Sequence, residues 1–207
     1  MHPNPIFRKA DASRNFGFAR DRSFGALSIN DDDGPLMSHV PFLLAQDNQS
    51  LDLHLVRSNP IARALDPPAK AVIAVTGPDS YISPDWYGVT DQVPTWNYVA
   101  VHLRGTLERL PDTELRDVID RQSARFEDQL APKTPWTTAK MTPDVLEKMM
   151  RQIVPFRMRV ESVGGTWKLN QNKPDTVRES AAGFVNGYGM GSEPAMLAAL
   201  MLAPPRD

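Results

Sequence analysis

The sequence predicts an α+β protein, a small β-barrel with helices on its periphery. Three observations carry this expectation. About seven short segments read as strands, several of them alternating apolar and polar residues with the period of a half-buried strand. Helical periodicity is concentrated in the later half of the chain. Nineteen prolines punctuate the chain between short elements. At 207 residues and 41% hydrophobic content, the chain suffices for one core, and residues 1–207 are expected to form a single domain.

Residues 1–22 are polar, with a weak helical pattern over Asp11–Arg20. Ser23–Ile29 and Leu36–Ala45 read as two strands joined by the turn Asp31-Asp32-Asp33-Gly34, a hairpin signal. The three aspartates lack the spaced oxygen ligands of a calcium loop and read as a solvated turn. Leu51–Arg57 alternates again and places Asp52 and His54 on one face. A short helix follows at once, with Ser58 or Asn59 as cap and Pro60 at its first position. Lys70–Thr76 is a continuous apolar strand. Gly77–Val93 carries Gly77-Pro78, Ser83-Pro84 and Val93-Pro94 and reads as a rigid aromatic loop, with a strand from Val93 onward.

Pro111-Asp112 opens a helix reaching about Leu130, with Leu115, Val118, Ile119, Phe126 and Leu130 on one face. Thr142-Pro143-Asp144 caps a second helix with a Leu146, Met149, Met150, Ile153 stripe. Residues 154–163 alternate, and Gly164-Gly165 predicts a turn into Thr166–Gln171, making a two-stranded hairpin. The glycine-rich stretch Gly183–Gly191 reads as flexible tail, ahead of a last apolar helix at Glu193–Leu202.

The charge balance (23 basic, 25 acidic, net −2) argues against a chain that grips phosphate backbone, so direct DNA contact is expected to be weak. No cysteine is present, which excludes disulfides and thiolate chemistry and fits a reducing compartment. No apolar run spans a bilayer and MHPNPIFRKAD lacks an apolar signal core, so the expectation is a cytoplasmic protein without membrane association. Three of the four histidines, His39, His54 and His102, fall in predicted strands. Their spacing matches no helix-borne zinc motif, and no metal site is assigned. No nucleophile elbow, Walker loop or dinucleotide fingerprint occurs, and no catalytic residue is named.

Two features point to a ligand. Arg57 sits at the mouth of the helix capped by Ser58 or Asn59, where a guanidinium and free backbone N–H groups would together receive a phosphate. The aromatics Tyr81, Trp86, Tyr87, Trp96 and Tyr98 cluster in one segment and could wall a planar cofactor or pack a core.

Several blocks then match a known family. They are Ser38-His39-Val40-Pro41-Phe42, His54-Leu55-Val56-Arg57-Ser58-Asn59-Pro60, Gly77–Tyr87, Val93–Gly105, Ile153–Phe156 and Trp167–Pro174. The chain resembles the PaiB-type family of FMN-binding negative transcriptional regulators over about Phe24 to Pro174. Leu53, Val56 and Ser58 depart from the family pattern, and residues 175–207 stand as a divergent extension to a core of about 23–174.

The resemblance implies a split β-barrel of the flavin-reductase and pyridoxamine-phosphate-oxidase type, a homodimer with FMN at the subunit interface. His39 and His54 enter as cofactor-binding positions through their blocks. Arg57, Ser58 and Asn59 would hold the phosphate, Trp96, Asn97 and Tyr98 would wall the isoalloxazine, and Lys168 and Gln171 would add polar contacts. A regulator or flavin sensor is the implied role. A flavin-dependent oxidoreductase and a haem-handling protein are the alternatives.

Overall fold

The computed structural model describes residues 1–205. Among the described residues, seven strands form one sheet: β1 (Phe24–Ile29), β2 (Leu36–Pro41), β3 (Leu43–Leu44), β4 (Ser50–Val56), β5 (Ala69–Ile82), β6 (Thr95–Arg109) and β7 (Ile153–Lys168). Their order is β2-β1-β5-β6-β7-β4-β3. β1 pairs antiparallel with β2 and β5, and β4 with β3 and β7. The described residues also form six α-helices: α1 (Ala12–Arg22), α2 (Pro60–Ala64), α3 (Leu115–Glu127), α4 (Pro143–Met150), α5 (Asp175–Tyr188) and α6 (Pro194–Leu202). This is the α+β split β-barrel that the resemblance implied.

The chain divides into two compact units. One comprises residues 1–18, 75–102 and 163–207, the other 19–74 and 103–162. The long strands β5, β6 and β7 each contribute residues to both.

In the 19–74/103–162 unit, Leu27, Phe42, Leu51, Leu53, Ile73, Leu103, Leu107, Phe156 and Met158 are fully buried. The alternation that predicted strands is the cause: in β4, Leu51, Leu53 and Leu55 point to the core, and Leu53 lies in register with Phe156 of β7. Asp52 and His54 take the opposite face, beneath α3. There Arg121 Nη2 donates to Asp52 at 2.7 Å, and His54 Nδ1 lies 2.9 Å from Gln122 Oε1.

In the 1–18/75–102/163–207 unit, the core includes Phe7, Ile82, Tyr87, Val99, Trp167, Leu169, Val185, Leu197 and Met201. Trp86 stacks on Phe184 with ring centroids 6.0 Å apart and planes at 9°, and Ser180 Oγ donates to the Trp86 carbonyl at 2.8 Å.

Three expectations are corrected. Gly77-Pro78 does not break the chain, because β5 continues through it to Ile82. A Cβ on Gly77 would lie 2.6 Å from the Phe18 ring, so this glycine serves close packing. Gly164-Gly165 makes no turn either: β7 runs unbroken from Ile153 to Lys168. A Cβ on Gly165 would lie 2.1 Å from Asn15 Oδ1, which also accepts the Trp167 indole N–H at 2.9 Å. Glycine there admits α1 against the strand. Finally, the stretch expected to be flexible from Gly183 is largely helix α5. Its Arg178 is 2% exposed and donates Nε to the Met201 carbonyl at 2.7 Å, fastening α5 to α6. Tertiary contact overrides the low helix propensity of Gly183 and Gly187.

Candidate functional site

A cavity of about 850 Å³ in the 19–74/103–162 unit opens where β4 passes into α2. Its lining combines the guanidinium-bearing Arg57, Arg63 and Arg109 with the apolar Ala62, Leu65, Pro68, Leu110, Pro111 and Val154, and with Asp66 and Glu108. The volume lies in the range of small-molecule sites, and the mixture of apolar wall and a few charged groups is their usual make-up.

Local sequence explains how Arg57 arrives there. The backbone N–H of Arg57 donates to the Gln152 carbonyl at 2.7 Å, extending the β4–β7 ladder by one bond. The Asn59 side chain then accepts the Ile61 N–H at 2.9 Å and Pro60 occupies the first helical position. Asn59 Nδ2 also donates to Ser38 Oγ at 3.0 Å, tying the turn to β2 beside His39. The guanidinium of Arg57 is aimed by three acceptors: Nε to the Arg151 carbonyl at 3.1 Å, and Nη2 to the Ile153 carbonyl at 3.3 Å and Asp112 Oδ2 at 3.2 Å. Arg109 Nη2 takes the other oxygen of Asp112 at 2.9 Å. Arg63 forms no ion pair among the described residues and is exposed at the cavity edge.

The donor chemistry fits a phosphate, since planar guanidiniums are the preferred partners of phosphate oxygens. The helix contributes less than its sequence suggested. α2 has five residues, Pro60 has no N–H and that of Ile61 is already taken by Asn59. Arginine charge is the main source of anion attraction here. Arg63 and Arg109 escaped the sequence analysis because neither stands in a recognisable motif. Arg109 is the last residue of β6, and only the sheet brings it to Arg57.

The other expected residues lie as follows. Ser58 is exposed at the turn, and His39 is exposed on β2 with its ring 6.3 Å from that of Phe24. His54 is half-buried under α3, and burial lowers its pKa, opposed by its hydrogen bond to Gln122. It is placed to hold α3 and is absent from the cavity lining.

Trp96, Asn97, Tyr98, Lys168 and Gln171 belong to the other unit. Trp96 is exposed, with its ring edge on Tyr81. Asn97 is fully buried, with Nδ2 3.5 Å from the Met201 sulfur and Oδ1 unpaired. Consecutive strand residues face opposite sides, so Trp96, Asn97 and Tyr98 cannot form one wall, and Asn97 is withdrawn from that role. Lys168 donates to Thr95 Oγ1, and burial lowers its ammonium pKa. Gln171 is spent on backbone: Oε1 accepts the Leu169 N–H at 2.8 Å, and Nε2 donates to the Ile6 and Trp167 carbonyls.

Comparison with known proteins gives the context for this geometry. The family model "Putative FMN-binding domain" matches residues 1–162. A protein of Bacillus subtilis, protease synthase and sporulation protein PAI 2, is 30% identical over 178 residues, covering 85% of this chain and 84% of its own. The chain belongs to the PaiB-type FMN-binding family. A relative in Saccharomyces cerevisiae, the uncharacterized protein YKL070W, is 34% identical over 128 residues, 56% of this chain and 75% of its own.

Solved structures share the fold of this chain. The FAD and heme binding protein of Mycobacterium smegmatis superimposes with a TM-score of 0.57 at 16% identity, over 88% of this chain and 80% of its own. The flavocytochrome Anf3 of Azotobacter vinelandii does so with a TM-score of 0.53 at 11% identity, over 81% and 72%. At these identities the likeness is one of fold. Among the described residues, no helix is long and apolar enough to cross a membrane.

Proposed function

We propose that this chain binds flavin mononucleotide in the cavity beside Arg57 and serves as a flavin-binding regulator or sensor. The observation that carries the reading is the gathering of Arg57, Arg63 and Arg109 on a cavity whose remaining wall is largely apolar. Arg57 would be the main phosphate partner, held in place by the Arg151 and Ile153 carbonyls. Leu65, Pro68, Leu110 and Val154 offer apolar surface for a flat ring system. When bound, the flavin supplies hydride or electron transfer. Family membership supports the choice of FMN among phosphate-bearing ligands. The sporulation role named for PAI 2 supports regulation as the setting. Exposed apolar side chains on the same unit, Phe24, Met37 and Val56, support a homodimer that covers them.

The test is Arg57→Ala. Arg57 is 45% exposed and shares its charge with Asp112, so the lost interaction sits at the low end for a charge-assisted contact. FMN should bind more weakly by about 1.5–2 kcal/mol, roughly 10- to 30-fold. Riboflavin, which lacks the phosphate, should be unaffected. Equal FMN affinity in the folded variant and the wild type refutes the assignment.

A further inference from the structure

The carboxylate of Asp112 bridges two of the three cavity arginines: Oδ2 lies 3.2 Å from Arg57 Nη2 and Oδ1 lies 2.9 Å from Arg109 Nη2. The other two acidic side chains at the cavity, Asp66 and Glu108, make no ion pair among the described residues. Among the described residues, Asp112 is therefore the one carboxylate that ties these guanidiniums down. It stands at the rim, on the turn after Pro111 (a lining residue), and its side chain is 54% exposed.

We infer that Asp112 is a specificity-determining residue, an internal anion that a ligand must displace from Arg57 and Arg109. The inference rests on the phosphate assignment to Arg57 made above.

The physical reason is a competition between like charges for the same donors. A carboxylate is a monoanion with two oxygens, and here each oxygen already holds one guanidinium. An incoming monoanion gains nothing by exchange, because it replaces a tethered carboxylate with a free one. A phosphomonoester carries about −1.5 to −2 charge at neutral pH and three acceptor oxygens, so it outcompetes Asp112 for both arginines. The displaced carboxylate is half exposed and returns to water without a buried-charge penalty. The Arg57 guanidinium need not move far, since the Arg151 and Ile153 carbonyls hold it independently of Asp112. The same charge count explains selectivity. With Asp112 in place, three arginines face three carboxylates. Once it is displaced, the cavity has one unit of excess positive charge for the ligand.

Asp112→Asn is the variant that tests this, since it keeps the shape and removes the charge at a solvent-exposed position. FMN, riboflavin and acetate are titrated against wild type, Asp112→Asn, Arg57→Ala and the double variant, following flavin fluorescence, with acetate as competitor against FMN. The expected result is FMN binding about 5- to 10-fold tighter in Asp112→Asn, with riboflavin unchanged. Acetate should compete measurably only in that variant, and the gain in FMN affinity should shrink when Arg57 is also alanine. A merely structural role for Asp112 would move FMN and riboflavin together. Unchanged or weaker FMN binding in Asp112→Asn, while Arg57→Ala weakens FMN, overturns the inference and leaves the phosphate assignment standing. Unchanged FMN binding in Arg57→Ala removes the phosphate assignment and this inference with it.

Discussion

Replacing Asp52 tests how the cavity-bearing unit is held together. Asp52 is 5% exposed on β4 and accepts three charge-assisted hydrogen bonds: Arg157 Nε at 2.7 Å, Arg157 Nη2 at 3.0 Å and Arg121 Nη2 at 2.7 Å. Arg157 is on the neighbouring strand β7 and Arg121 on α3, so one carboxylate fastens a helix to two strands. Removing one member of a buried ion pair typically costs about 3–5 kcal/mol. Here the arginine side chains are 35% and 41% exposed and regain water when the carboxylate is lost. The expected cost of Asp52→Ala is therefore about 2–3 kcal/mol, and of the isosteric Asp52→Asn about 1–2 kcal/mol.

For a chain of this size a cost of 2–3 kcal/mol lowers Tm by roughly 4–12 °C. Urea unfolding followed by tryptophan fluorescence measures it. The pH dependence supplies the sign. Burial pushes the Asp52 carboxyl up, but the hydrogen bonds from Arg157 and Arg121 outweigh it and the net shift is downward. The contribution is thus fully present above the ordinary carboxylate range and is lost as pH falls through the depressed folded value. The gap between wild type and Asp52→Asn should close in strong acid. Equal stability of the two at pH 7, or a gap that persists undiminished in acid, would refute the reasoning.

Two further outcomes are expected. His54 is half-buried against Gln122 with its pKa below 6.5, so the unfolded chain takes up this proton first, and stability should fall as pH drops below about 6.5; His54→Gln should flatten that part of the urea-midpoint profile. Sedimentation at micromolar concentration with FMN present should give a dimer, and Met37→Glu with Val56→Glu should shift it toward monomer if those exposed apolar residues are covered by the second copy.

Residue pattern alone determined the element types and much of their placement. Alternation in Leu51–Val56 marked a half-buried strand, because a period of two is the geometry of a pleated chain. The Asn59-Pro60 pair announced α2, because capping and proline at the first turn are local chemistry. The position of Arg57 beside that cap was legible for the same reason. What sequence could not convey was which distant residues meet. Gly164-Gly165 carried a turn signature, yet the strand runs through because Asn15, about 150 residues away, needs the space of a missing Cβ. Glycines in α5 signalled flexibility, yet Trp86 and the carbonyl of Met201 give that helix partners that no local propensity encodes. The company of Arg57 was decided in the same way. Arg109 and Asp112 are more than fifty residues further along the chain, and only the sheet, in which β7 joins β6 to β4, brings the Asp112 carboxylate within hydrogen-bond reach of both Arg57 and Arg109.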